Sequence, residues 1–248
     1  MKNKKRIILI GGLGNVLYQL NAISDIEDIS IDVGLLGSRL IHRILGWTFH
    51  DTLSALDLKR ENIVDHSVPK ILCDVMFCFV IKRFRVRSNR YSWNDTRGEV
   101  ICGYFQEPAW TMNGVNSNYI QSFLNCVDGV YQKNSSVIHY RLGDSVWRLK
   151  HLDYYKYLDE LIRSKKYLVI TDSPKILQSK FKDPELEIRR ASLLEDFYTM
   201  INAHHLVISP STLSWWAGML KADGVVTMPR ELFKEIGFTN TKVKIECI

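Results

Sequence analysis

"VIHYRLGDSVWR", residues 137–148, passes from a strand-like apolar run directly into charge. Val137, Ile138 and Tyr140 are residue types that favour strands, and Arg141, Leu142, Gly143 and Asp144 follow with no spacer. An arginine and a carboxylate at the mouth of a hydrophobic strand fit a parallel α/β sheet, whose strands are buried on both faces and meet ligands beyond their carboxyl ends.

The surrounding sequence repeats that alternation. Strands are expected at 136–140, 166–170, 186–189, 205–209 and 224–228, with helical apolar spacing at 153–164, 174–181, 192–202 and 212–220. At the other end, Ile7 to Ile10 reads as a strand closed by Gly11-Gly12, and "GNVLYQLNAI" (14–23) as an amphipathic helix. The region 60–135 lacks this alternation and holds a basic patch, "IKRFRVRSNR" (81–90), and a turn-rich stretch, "SWNDTRGE" (92–99). "QKNSS" (132–136) is the most linker-like segment, which divides the chain into domains 1–134 and 135–248.

At 46% hydrophobic and 24% charged residues, the 248-residue chain has the composition of a globular protein rather than a disordered one. Its formal charge of +6 attracts anions from a distance without selecting which. Five cysteines, at 73, 78, 102, 126 and 247, form no CxxC pair and argue against a disulfide framework or zinc site. The N-terminal apolar run before the glycines is too short for a signal-peptide core. "ILCDVMFCFVI" (71–81) is too short to span a bilayer and carries Asp74. The expected location is cytoplasmic, at most peripheral at the inner membrane face.

Four stretches carry chemistry. In "GGLGN" (11–15), Gly12, Gly14 and Asn15 stand where a strand turns into a helix whose first N–H groups can meet an anion; a tight turn without a ligand is the plainer reading. It is no GxGxxG fingerprint, and no acidic residue is expected at the right distance after a second clear strand. In "HYRLGD", Arg141 offers a planar fork suited to a diphosphate, and His139 faces the same side of the strand. Gly143 permits a turn, while Asp144 could orient Arg141, cap a segment or accept a proton; a buried Arg141–Asp144 ion pair is the structural alternative. In "ITDSPKIL" (170–177), Asp172 could cap the helix at Pro174 or accept hydrogen bonds from a base or ribose. In "VISPSTLSWWAGML" (207–220), Ser209, Ser211 and Thr212 crowd a helix N-terminus, whereas Trp215 and Trp216 read as packing.

Seven segments in order resemble the α-1,2-fucosyltransferases of glycosyltransferase family 11, and more distantly the α-1,6- and protein O-fucosyltransferases. "GGLGNVLYQLNA" (11–22) is similar to GGLGNQLFQYA, "CGYFQ" (102–106) to GYWQ or GYFQ, and "IHYRLGD" (138–144) to HxRRGD. "LDYYKYLDELI" (152–162) is similar to LDYYxxAI, "VITDSP" (169–174) to SDD, "LEDFYTM" (194–200) to DDLYLM, and "ISPSTLSWWAGML" (208–220) to NSSFSWWAAWL. Leu142, Val16 and Ser173 stand where that family has its second arginine, its glutamine and its second aspartate. The resemblance implies a GT-B-like α/β fold, two Rossmann-like domains facing a central cleft, with the donor mainly in the C-terminal one. It implies inverting transfer of L-fucose from GDP-β-L-fucose to a glycan hydroxyl, the 2-OH of galactose, on an acceptor that includes lipid-linked glycans.

Carried over residue by residue, the resemblance gives His139 to the nucleotide, Asp172 to guanine, Ser211 and Thr212 to the diphosphate, and Arg141 to the leaving group. The base that takes the acceptor proton is left open between Asp144 and Glu107. Neither cofactor nor metal is expected beyond the GDP-sugar itself. A different donor, either another GDP-deoxyhexose or a furanosyl nucleotide, is the nearest alternative, and a non-catalytic nucleotide-binding protein another. Nucleic acid is not an expected partner: "KRFRVR" (82–87) is basic, but no RNP or helix-turn-helix signature accompanies it.

The chain contains no DxD motif, so fixed donors must stabilise a leaving diphosphate without a divalent cation. Transfer activity is expected to persist in excess EDTA; loss restored by Mg²⁺ or Mn²⁺ would overturn that argument.

Overall fold

Short aliphatic runs become the strands of two separate sheets, one in each of two units, Met1–Cys126 and Val127–Ile248. The computed structural model describes residues 5–9, 11–23, 29–37, 63–64, 69, 90–95, 98–103, 120, 136–142, 151–164, 166–189 and 191–248. The basic patch, apart from Arg90, and all of "QKNSS" except Ser136 lie outside the described residues.

In the first unit, β1 (Lys5–Ile8) leads through the glycine turn into α1 (Leu13–Ala22). β2 (Ile29–Asp32), α2 (Gly34–Gly37), β3 (Ile63–Val64), β4 (Arg90–Asp95) and β5 (Gly98–Gly103) follow. The sheet order is β3-β2-β1-β5-β4, with β1 parallel to both neighbours and Ile7 opposite Ile31 and Ile101. Ile7, Ile8 and Leu9 are fully buried, as a central parallel strand requires. β1 starts two residues before the expected Ile7 because Arg6 is held: its guanidinium reaches the buried Asp32 carboxylate at 3.4 Å. Most of "SWNDTRGE" is strand rather than turn, since β4 and β5 pair antiparallel with Asp95 opposite Gly98.

The second unit is more regular. β6 (Ser136–Tyr140), α3 (Leu152–Arg163), β7 (Leu168–Thr171), α4 (Pro174–Phe181), β8 (Ile188–Arg189) and α5 (Leu193–Asn202) form its first half. β9 (His205–Val207), α6 (Thr212–Leu220), β10 (Val225–Met228), α7 (Arg230–Ile236) and β11 (Lys244–Cys247) complete it. All pairings are parallel, in the order β11-β10-β9-β6-β7-β8. This is the doubly wound Rossmann order, in which successive strands run outward in both directions from the first.

Alternation along β6 sends its side chains to two layers. Ile138 and Tyr140 join Tyr154, Tyr155, Leu158, Ile162 and Leu177 in the core beneath α3 and α4. On the other side α5 packs against α6 and β6. Trp215 and Trp216 are fully buried inside α6, edge to face at 5.2 Å, and the Trp215 indole donates to the Gly237 carbonyl at 2.9 Å. The α5 ends are closed by side chains. Ser192 and Glu195 make a reciprocal capping box at its start, and the Lys221 ammonium donates to the Ile201 and Ala203 carbonyls at its end. Among the described residues, no helix is long and apolar enough to cross a membrane.

β10 is entered through Gly224, at φ +93°, where a Cβ would lie 2.2 Å from the His204 carbonyl oxygen. That oxygen already accepts the Val225 N–H at 2.8 Å, so the contact cannot relax freely. Gly224→Ala is expected to lower stability by about 1–3 kcal/mol or more in chemical denaturation; an unchanged midpoint would contradict the strained turn.

Candidate functional site

The sheet of the second unit changes direction between β6 and β9: the chain proceeds from β6 toward β7 and β8, then returns to β9 and runs toward β10 and β11. Crossovers diverge there, and the carboxyl ends of strands at such a point are where open α/β sheets bind ligands. His139 and Arg141 come from one side of this switch point, and Ser209, Ser211 and Thr212 from the other.

Arg141 is the first residue past β6 and is partly exposed, with 40% of its side-chain surface accessible. Its Nε lies 3.2 Å from Asp172 Oδ2, and Asp172 Oδ1 accepts the Leu142 N–H at 2.9 Å. Asp172 therefore ties the tip of β7 to the tip of β6. It is not the cap of its own helix: Ser173 occupies the α4 N-cap, without a side-chain capping bond. An ion pair this exposed contributes at most about 1 kcal/mol, so its effect is on geometry. The two terminal nitrogens of the guanidinium form a planar fork of donors.

His139 is only 2% exposed, and its Nδ1 lies 2.9 Å from the Ser209 hydroxyl across the switch point. Burial, helped by the Arg141 charge and opposed by Asp172, lowers its pKa to about 4, so the ring is neutral at physiological pH. Ser211 is the N-cap of α6, with no side-chain capping bond, and Thr212 begins the helix. The Ser214 hydroxyl instead donates back to the Ser209 and Ser211 carbonyls, at 3.1 and 3.3 Å, fixing the approach to the helix.

Two residues in "LDYY" do more than a motif match reveals. Tyr155 Oη donates to the Arg141 carbonyl at 2.8 Å, and Tyr154 Oη donates to the Ile208 carbonyl at 2.7 Å. Adjacent tyrosines on α3 thus hold the last peptides of β6 and β9, one on each side of the switch point. Their sequence signal was two neighbouring tyrosines at the start of an amphipathic helix, where only burial can distinguish a core ring from a positioned hydroxyl.

In the first unit, the glycine turn lies at the matching switch between β1 and β5. Gly11 has φ +91° and would bring a Cβ within 2.6 Å of Asn15 Nδ2. Gly12 is the α1 N-cap and would meet nothing, while Gly14 is buried in the first turn beside Asn15. The sequence gives no expectation of an acidic residue after a second strand, yet Asp32 ends β2. The carboxylate is fully buried, accepts from Arg6 and from the Gly34 N–H at 3.1 Å, and so serves the fold.

Gly143, Asp144 and Glu107 lie outside the described residues. Among the described residues, no three His, Cys, Asp or Glu side chains cluster as a metal site would require. A cavity of about 110 Å³ lined by Ile162, Arg163, Lys180, Phe181, Asp183 and Leu186 sits at the C-terminal ends of α3 and α4. Those ends belong to the opposite, amino edge of the sheet, and the volume is below that of a ligand pocket.

No family model and no curated protein matches the chain. Among solved structures it is similar to fucosyltransferase NodZ from Bradyrhizobium, at 13% identity, covering 90% of this chain and 94% of that one, with TM-scores of 0.48 and 0.45 in two crystal structures. It is also similar to the E. coli heptosyltransferase WaaC with ADP, at 12% identity and a TM-score of 0.41, covering 98% and 92%. These likenesses are remote, and the chain's activity has to be argued from its own residues.

Unfolding releases His139 to an ordinary pKa near 6.5, whereas the folded ring protonates only near pH 4. The unfolded chain therefore binds the extra proton across that window, and the ring's contribution to stability, present above about pH 6.5, falls by about 3 kcal/mol as pH drops through it. Asp196, raised by burial to about 6, contributes with the opposite sign. The comparison that isolates the histidine is parent against His139→Gln, whose stability should fall less steeply between about pH 6.5 and 4. Parallel slopes would show that the ring is not buried as described.

Proposed function

We propose that the chain is a GT-B-like glycosyltransferase whose second unit binds a nucleoside diphosphate sugar at the β6/β9 switch point. The specific reading is transfer of L-fucose from GDP-β-L-fucose to the 2-OH of a galactose in a glycan acceptor, lipid-linked acceptors included. The observation that carries the reading is Arg141, placed just past the end of β6 with its Nε 3.2 Å from Asp172 Oδ2. The ordered family-like segments support the fucosyl donor.

In this mechanism the acceptor oxygen forms a bond to the anomeric carbon as the bond from that carbon to the β-phosphate oxygen breaks. The acceptor proton passes to a base, Asp144 or Glu107, and GDP departs with the bonding pair. Negative charge gathers on the diphosphate, where Arg141 and the start of α6, with Ser211 and Thr212, supply fixed donors. Neutral His139 adds a hydrogen bond without a charge. Gly12, Gly14 and Asn15, at the close-approach turn of the first unit, are the remaining candidates for contact with the nucleotide sugar.

One observation favours the neighbouring reading of a different nucleotide sugar. Both Asp172 oxygens are already engaged just past the end of β6, Oδ1 by the Leu142 N–H and Oδ2 by the Arg141 ion pair, so guanine would have to use their remaining lone pairs.

Arg141→Ala is expected to reduce transfer about 100- to 1,000-fold while changing stability by less than about 1 kcal/mol; Arg141→Lys should also be poor, because a point charge cannot replace the fork. Equal losses of stability and activity would instead assign the arginine to the fold.

Calorimetric titration with GDP, UDP and ADP tests the donor. GDP should bind tightest; tighter UDP would overturn the GDP-fucose reading, and no binding of any of the three would overturn the transferase. Asp172→Asn should erase the preference for GDP if the carboxylate reads guanine. It should weaken all three nucleotides alike if its function is to position Arg141.

A further inference from the structure

One peptide unit at the switch point is held from both sides. Its carbonyl, that of Arg141, accepts the Tyr155 hydroxyl at 2.8 Å, and its N–H, that of Leu142, donates to Asp172 Oδ1 at 2.9 Å. The unit is planar and its two polar groups point opposite ways, so a bond at each end fixes the plane. On the other side of Arg141, Tyr140 is still paired in register with Thr171 of β7. The backbone from which the guanidinium projects is therefore set both before and after it.

The neighbouring tyrosine serves the other strand. Tyr154 Oη donates to the Ile208 carbonyl at 2.7 Å and more weakly to the Thr227 carbonyl at 3.3 Å, and the residue after Ile208 is Ser209, from which the chain enters α6. Consecutive helix positions project about 100° apart, and neighbouring strands lie about 4.8 Å apart. One turn of α3 can thus reach the ends of both strands. The two rings are buried, at 6% and 4% exposure. Phenylalanine would fill the same core, whereas a buried hydroxyl costs free energy unless it is bonded. The carbonyls explain the hydroxyls. One turn further on, Asp159 accepts from Tyr140 Oη at 2.7 Å and from Lys180 Nζ at 2.6 Å, which ties α3 to β6 again and to α4.

We propose that Tyr154 and Tyr155 are positioning residues for diphosphate binding. Tyr155 fixes the peptide from which Arg141 projects, and Tyr154 fixes the peptide that leads into Ser209 and the start of α6. This role rests on the nucleotide reading above and adds one thing to it: a helix packed in the core sets the separation of the two groups of donors. Both tyrosines act through the backbone, so their loss should be felt at the β-phosphate and not at the rest of the nucleotide.

The experiment is calorimetric titration of the full chain with GDP and with GMP, which lacks the β-phosphate, for the parent, Tyr155→Phe, Tyr154→Phe and Gly224→Ala. The parent should bind GDP more tightly than GMP. Each tyrosine variant keeps its ring and should weaken GDP about tenfold but GMP less than about twofold. Gly224→Ala, a destabilising change at the amino end of β10, should keep the parent's preference, which separates positioning from lost stability. A parent-like preference in either folded tyrosine variant overturns the role of that tyrosine, and an equal loss of preference in Gly224→Ala overturns both. Should one tyrosine variant fail to fold, the other carries the same test alone. A parent that binds neither nucleotide, or binds GDP no more tightly than GMP, overturns the diphosphate reading itself, a result distinct from any change among the variants.

Discussion

β6 is hydrogen-bonded along both edges, to β7 and β9, and packed on both faces, so the chain can expose chemistry on it only where it ends. That constraint dictates the rest of the site. Val137 and Ile138 are apolar because nothing solvates them. His139, a polar residue in the same strand, is tolerated because Ser209 meets one of its nitrogens and burial keeps it uncharged. Arg141 follows at the first position where a guanidinium can leave the core.

A strand end is useful to a ligand only if it stays where it is. Three side chains hold these ends. Tyr155 and Tyr154 fix the carbonyls of Arg141 and Ile208, and Asp172 fixes the Leu142 N–H together with Nε of Arg141. Each bond contributes on the order of 1 kcal/mol to stability, little against the buried apolar core. For the proposed function, their consequence is that the donors meant for a diphosphate are in place before it arrives, so that little reorganisation is needed when charge develops.

Legibility in the sequence followed burial. Helices α3 to α6 fell within a residue of the expected 153–164, 174–181, 192–202 and 212–220, because α3 to α5 alternate apolar and polar residues at helical spacing and α6, buried almost all round, is bounded by Ser211 and Lys221. β6 matched 136–140, a fully buried strand whose apolar run has no competing period. β11 was missed: "KIEC" is an edge strand whose Lys244 and Glu246 pair with each other at the surface, leaving little hydrophobic signal. β4, "RYSWND", was hidden among turn residues for the same reason, and β3 has only two residues. At the site, Arg141 and Ser209 could be placed at strand ends from pattern alone. The pairing of Arg141 with Asp172 could not, since it joins residues 31 apart whose contact exists only because β6 and β7 are parallel neighbours. Local spacing suggested Asp144 or a helix cap instead, the two partners that sequence distance makes cheapest to imagine.

The Arg141–Asp172 pair has a consequence for how an anion is recruited. Paired with a carboxylate, the arginine brings almost no net charge to the switch point, and His139 brings none. Attraction over distance must come from the formal +6 of the whole chain and would fade with ionic strength. In the proposed function, discrimination at contact comes from elsewhere: the guanidinium, the start of α6 and one imidazole N–H, each set at the end of a central strand. Salt should therefore slow encounter more than it blurs selectivity, because the groups that choose the ligand act by their orientation, whereas those that draw it in act by their sum.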